Sequence, residues 1–314
     1  MNDNAMVITA LCSHLCDDGT WKPLELREWN ALAKTLAEHG LEPKAIPDLS
    51  EKDRKELLLL DHEGSERISR LLDRSASLTF ALNKLQNIGV FVVTRAEPSY
   101  PRRLKKNLGA SCPALFYYAG ELCLLDTPAI GYAGSRSASD KDIQFTVSTV
   151  QKTVGHGFCV VSGGAKGIDA AAEETALNEG AGAVSFLSDS MLRKMKRPTI
   201  LKALQDRNML LLSAVNPDAG FQAGIAMMRN RYIYAHSAGT VVVRSDYNKG
   251  GTWFGAMENL KHRWSPTLCW NQPRYAGNQA LIQQGAVPID ESWNGDVNSL
   301  PLNGEGTEQI SLFP

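Results

Sequence analysis

Between Ile130 and Asp169 the apolar residues change their spacing twice, and that change leaves few folds open. The run Ala129-Ile-Gly-Tyr-Ala133 has the length of a buried strand and stops at Gly134-Ser135-Arg136. From Asp140 onward Ile143, Val147, Val150 and Val154 recur at helical spacing, and Gly155 and Gly157 close that helix. Phe158 to Val161 is apolar and β-branched throughout, as a strand covered on both faces should be. A strand, a helix and a second strand make a right-handed βαβ unit. Both glycine-bearing turns then leave the carboxyl ends of parallel strands, where α/β folds place their ligands. A glycine turn entering a helix offers backbone N–H groups and a positive dipole end, so the expected ligand is anionic. Arg136 and Lys166 add charge to the same rim.

Composition narrows the choice of anion. A chain of 314 residues with 43% apolar content can bury a large core, and its net charge of -1 argues against coating duplex DNA through bulk charge. Cys12, Cys16, Cys112, Cys123, Cys159 and Cys269 include no CxxC pair, so neither a zinc site nor any other metal centre is expected. Reduced thiols in a cytoplasm are the simplest account of them. No apolar run reaches the roughly 20 residues of a membrane span, and the Met1-Asn-Asp-Asn start has no basic signal region. No membrane association and no cofactor are expected.

The first ninety residues read as a helical structural domain. Leu26, Trp29, Ala33 and Leu36 share a helix face closed by Gly40, Ser50 to Asp53 has capping-box spacing, and a further helix runs about Ser77 to Asn87. Strands and helices then alternate from Phe91 to Ile289, which predicts a doubly wound, mostly parallel α/β sheet. The expected organisation is a helical domain over 1–90, an α/β domain over 91–292 and a flexible tail over 293–314.

Six blocks occur in one order: Tyr100-Pro101-x-x-Leu104, Gly134-Ser135-Arg136, Ser162 to Asp169, Ala176-Leu177, Arg229-Asn230-Arg231, and Gly277-Asn278 through Gly285-Ala286. In order and spacing they resemble the DNA processing protein A family, also called Smf. The resemblance implies an extended Rossmann-like domain that binds single-stranded DNA without catalysis, forms homodimers and helps load a RecA-type recombinase. Carried over residue by residue, Arg136 beside Gly134 and Ser135 would clamp a phosphate. Lys166 would hold another, with Ser162, Gly163, Gly164 and Gly167 letting the backbone approach and Asp169 orienting the loop. Arg229, Asn230 and Arg231 would face the same edge. Equally, one of these arginines could point outward while the other is tied to a carboxylate. Lys249-Gly250-Gly251-Thr252 is another glycine turn into a helix, suited to phosphate, with Tyr247 and Trp253 flanking it as base-stacking or packing aromatics.

The chain also departs from the family pattern. Glu173 stands where a His usually follows, Ala214 replaces the Glu of a Ser-Glu pair, Arg244 replaces an acidic residue, and Gly255-Ala256 replaces a Thr-Ala step. No winged-helix pattern is read at the C-terminal end. The closing Gln309-Ile-Ser-Leu312-Phe313 resembles the peptide by which partners enter the bacterial sliding clamp. Two other functional classes remain at this stage. One is a regulatory or antitoxin-like component of a phage-defence or mobile-element pair, acting on a cognate toxin. The other is a nucleotide sensor or phosphoribohydrolase-like enzyme, for which Glu173 or Glu258 would act as base. Glu173 is read as an exposed residue of a helix face.

Overall fold

The computed structural model describes residues 1–17 and 19–299. Gln309, Leu312 and Phe313 lie outside them. Nine strands are found among the described residues: β1 (Phe91–Thr94), β2 (Leu115–Gly120), β3 (Ala129–Ala133), β4 (Cys159–Ser162), β5 (Ala183–Leu187), β6 (Met209–Ser213), β7 (Gly239–Val242), β8 (Thr267–Trp270) and β9 (Val287–Ile289). The chain divides into two compact units, Met1–Asp126 with Val184–Arg229, and Thr127–Ala183 with Asn230 onward. The mostly parallel α/β architecture expected from the alternating pattern is present, preceded by a helical N-terminal region.

In the first unit the strand order is β1-β2-β6-β5, with β1 antiparallel to β2 and β2 antiparallel to β6. Val7, Ile8, Leu11, Trp29, Leu32, Leu36, Ile68 and Leu71 form the core of the helical region and pack against Ala114. Two of its helices, Asp3–Cys12 and His62–Asp73, escaped the sequence reading. The first is buried on most sides and shows no polar stripe. The second hides its apolar residues among charges. Those charges are structural: Arg74 donates to the carbonyls of Ala10 (2.6 Å), Ser13 (2.8 Å) and Leu15 (3.2 Å), tying down the end of the first helix. Arg67 pairs with Glu28 at 2.7 Å. The capping box is formed, Asp53 N–H donating to Ser50 Oγ at 3.1 Å and Ser50 N–H to Asp53 Oδ2 at 3.2 Å.

The second unit holds the feature that positions the site. Its order is β4-β3-β7-β8-β9, and each neighbouring pair is parallel. Successive residues of a strand face opposite sides, and both sides are covered. Tyr132, Val241, Val243, Leu268 and Trp270 pack with Phe145, Val150, Ile168 and Ala172 from helices Asp140–Gly155 and Ile168–Asn178. Ala133, Val242 and Cys269 pack with Tyr234, Trp253, Ala256 and Leu281 from helices Ala223–His236, Gly250–His262 and Ala276–Gln283. Phe145 and Trp270 stack at 4.2 Å, an arrangement that adds about 1 kcal/mol beyond burial.

The Asp140–Gly155 helix is rotated from its predicted face. Ile143 and Val154 are only partly buried, whereas Thr146, Thr149 and Thr153 are fully covered. Each threonine hydroxyl donates to a carbonyl of its own helix, at 2.7, 2.9 and 3.0 Å, so the methyl group can enter the core with no unsatisfied donor.

Candidate functional site

The turns after β3 and β4 lock into one another. A Cβ on Gly134 would stand 2.5 Å from Ile168 Cγ1, and one on Gly167 would collide with the carbonyl oxygens of Ser135 and Arg136. Gly167 also has φ of +78°, which disfavours any side chain. Ile168 N–H reaches Ser135 O at 3.4 Å, joining the turns through the backbone. Arg136 and Lys166 are both exposed on this paired structure. Beneath it, Ser162 is buried and its hydroxyl donates to Tyr132 O at 3.2 Å; Gly163 is buried as well.

Two carboxylates support the second turn from below. Gly164 N–H donates to Glu173 Oε1 at 3.0 Å, and Ala165 N–H donates to Asp169 Oδ2 at 3.3 Å. Asp169 and Glu173 are one helical turn apart, so both point from the start of Ile168–Asn178 into the loop that precedes it. Glu173 is therefore not the exposed helix-face residue that the sequence suggested; it is 3% exposed. The signal was its spacing from Asp169 together with a glycine loop whose amides needed acceptors. Because those two amides are engaged internally, the charge this turn presents outward is that of Lys166.

The Arg229-Asn230-Arg231 block is bound into the protein. Arg229 is 4% exposed, and Arg231 forms an ion pair with Glu258 at 3.0 Å. Asn230 Nδ2 donates to Gly251 O at 2.9 Å and so fastens the Lys249-Gly250-Gly251-Thr252 turn to the Ala223–His236 helix. Gly255 explains part of the departure from the family pattern. A Cβ there would meet Tyr234 Cε2 at 3.1 Å and Asn230 Cβ at 3.2 Å, where the two helices come close. Lys249 and Gly250 are exposed, with Gly250 at φ of +78°, and Thr252 is half-buried. Trp253 belongs to the core, and the exposed Tyr247 meets its ring edge-on at 5.1 Å.

Next to these turns Asn278 acts as a buried clamp. Its Nδ2 donates to Val243 O (3.0 Å) and Trp270 O (2.9 Å), and its Oδ1 accepts from Ser245 N–H (2.8 Å). The backbone of Gly277 lies so close to Ser245 O that no side chain fits there. This pair holds the segments after β7 and β8 in register. Arg244, the residue where the family pattern leads to an acid, contacts Asp142 Oδ2 at 3.4 Å. Burial penalises the charged form of Asp142. Hydrogen bonds from Tyr275, Ser139 and Arg244 outweigh that penalty and hold its carboxyl below the usual range. The sequence reading noted Arg244 only as a departure and did not single out Asp142 or Tyr275.

Among the described residues no group of three or more His, Cys, Asp or Glu side chains is placed to hold a metal, and no helix is long and apolar enough to cross a membrane.

Comparison with known proteins identifies the family and the fold. The chain is 30% identical over 179 residues to DNA processing protein DprA of Streptococcus pneumoniae, covering 55% of this chain and 62% of that protein. It is 25% identical to the Bacillus subtilis DprA over 64% of this chain and 68% of that one. The chain thus spans less than two thirds of the length of the pneumococcal relative. The solved pneumococcal DprA structure superposes with a TM-score of 0.64 at 22% identity, covering 85% of this chain and 95% of that one, which shows the shared Rossmann-like fold. A Helicobacter pylori DprA, described for its single-stranded DNA binding mode, matches at 25% identity with a TM-score of 0.52, over 64% of this chain and 90% of its own. The family model described as DNA recombination-mediator protein A matches residues 91–295, and the chain belongs to that family.

Proposed function

We propose that this chain binds single-stranded DNA in DNA processing and recombination, gripping the phosphates with Arg136 and Lys166 on the interlocked turns after β3 and β4. The observation that carries this reading is the pairing of the turns. Gly134 against Ile168 and Gly167 against Ser135 bring two exposed cations, one from each loop, onto a single rigid support. Such a support favours a continuous polyanion gripped without sequence readout. The Helicobacter relative, described for its single-stranded DNA binding mode, supports single-stranded DNA as the ligand. Lys249 on the Gly250-Gly251 turn supplies a further exposed cation, while Asn230 and Arg231 shape the wall behind it.

The reading contains no bond-breaking step. Glu173 accepts from a loop amide and Glu258 is paired with Arg231, so the two glutamates that a phosphoribohydrolase would call upon serve the architecture. Homodimerisation and recombinase loading belong to the same proposal by kinship, and clamp docking through Gln309, Leu312 and Phe313 belongs to it by the resemblance of that peptide alone. The test is anisotropy with labelled oligo-dT at low and moderate salt. Salt-dependent binding that is lost in Arg136→Ala and Lys166→Ala is expected. Wild-type protein with no affinity for any single strand at low salt would remove the proposal.

A further inference from the structure

The carboxyl edge of the parallel strands carries a second cationic cluster, beyond the paired turns. Three charged groups converge on Tyr275, which is itself buried. Its hydroxyl donates to Asp142 Oδ1 and accepts from Arg274 Nη2 at 3.0 Å. The guanidinium of Arg244 lies 5.3 Å from the ring centroid and that of Arg274 lies 5.0 Å from it, both within cation–π range. Arg244 also donates to Ser137 O at 3.4 Å, bridging the segment after β7 to the loop that contains Arg136.

The charges in this cluster do not cancel. Asp142 is fully buried and is paired with Arg244, while Arg274 meets the cluster through Tyr275. Arg274 is exposed and forms no ion pair among the described residues. Tyr275, buried and hydrogen-bonded to Asp142, gives the Arg274 guanidinium both a hydroxyl acceptor and a ring face to lie against. A guanidinium without a carboxylate partner among the described residues, held against a tyrosine at an exposed edge, suits a phosphate and the face of a base. An acid at 244, the residue type the family resemblance leads one to expect, would face Asp142 across the same gap and repel an incoming strand. Arginine instead pairs with Asp142 at 3.4 Å and leaves the edge cationic.

Position makes the cluster useful. Lys166, Arg136, Arg244 and Arg274 follow β4, β3, β7 and β8, four consecutive strands of one parallel set. At about 4.8 Å per strand the loop origins span roughly 14 Å of a single edge. We propose that Arg274, hydrogen-bonded to a Tyr275 that Asp142 and Arg244 hold in place, is a second contact for single-stranded DNA. It would take a phosphate and its neighbouring base as the strand leaves the paired turns. This rests on the reading of those turns as the primary site.

The test uses the full chain and a ladder of fluorescein-labelled oligo-dT lengths, comparing wild type, Arg274→Ala, Arg274→Lys and the Arg136→Ala, Lys166→Ala double variant. Arg274→Ala should leave affinity for the shortest oligonucleotide bound by wild type unchanged. For longer ones it should lose roughly tenfold, with a salt slope shallower by about 0.7. Arg274→Lys should recover the slope but not the full affinity, because it keeps the charge and loses the plane. Arg274 is exposed, so thermal midpoints matching wild type are expected throughout. If Arg274→Ala matches wild type at every length while the double variant binds weakly, the second contact is overturned and the primary reading stands. If wild type binds no oligo-dT, both fall.

Discussion

Arg229 and Arg231 sit on a helix and Arg136 and Lys166 sit on turns, yet as sequence all four are cations in blocks that resemble one family's pattern. The fold separates them. The helix arginines are drawn inward, Arg231 to Glu258 at 3.0 Å and Arg229 into a site where 4% of it meets solvent. Arg136 and Lys166 are carried out to the rim by turns that are closed from beneath by other groups. The difference teaches that exposure of a basic residue is decided by what satisfies the backbone and carboxylates around it. Here Asp169 and Glu173 accept from the amides of Ala165 and Gly164, next to the exposed Lys166.

That contrast is open to direct attack. The largest effect should come from the turn pair: Arg136→Ala with Lys166→Ala is expected to weaken oligo-dT binding at least about a hundredfold, since each charged contact contributes about 1.5–3 kcal/mol. Thermal stability should hardly move. Next, Gly167→Ala forces a side chain into a left-handed backbone and against Ser135 O. We expect a loss of about 2 kcal/mol in denaturant unfolding, together with weakened binding at both turns. Arg231→Ala should act in the opposite sense, with affinity within about twofold of wild type and stability lower by about 1 kcal/mol, as befits a half-exposed ion pair. A binding loss in Arg231→Ala as large as in Lys166→Ala would erase the distinction between helix and turn.

The smallest effect concerns acid. Asp142 has a folded pKa below its ordinary value, so the unfolded chain takes up the proton first. Its contribution is complete above about pH 4 and is lost as pH falls through the folded value. Asp142→Asn should therefore flatten the acid limb of a stability-against-pH curve. An unchanged limb would show that Arg244 and Tyr275 do not favour the carboxylate.

Much of this was legible in the sequence, for reasons that differ by element. The βαβ unit was readable because strand length, helical spacing and glycine placement all agreed within forty residues. Two N-terminal helices were missed because one shows no polar stripe and the other carries its apolar face among charges that fold back onto carbonyl groups. The rotated face of Asp140–Gly155 was missed because threonine counts as polar until its hydroxyl finds a carbonyl in the same helix. At the site, the exposed cations were visible as charge in a glycine context. The supports were not. Asn278 and Tyr275 act through partners 35 and 133 residues away, and no local pattern encodes a contact of that span; Glu173, 9 residues from its partner, was readable only by asking which group satisfies the glycine loop.

The meeting of Gly167 with Ser135 has one more consequence. A residue inserted in either turn would press on the other at this seat, so a change of length in one would shift Arg136 and Lys166 together, whereas the segments after β7 and β8 can change without disturbing that seat.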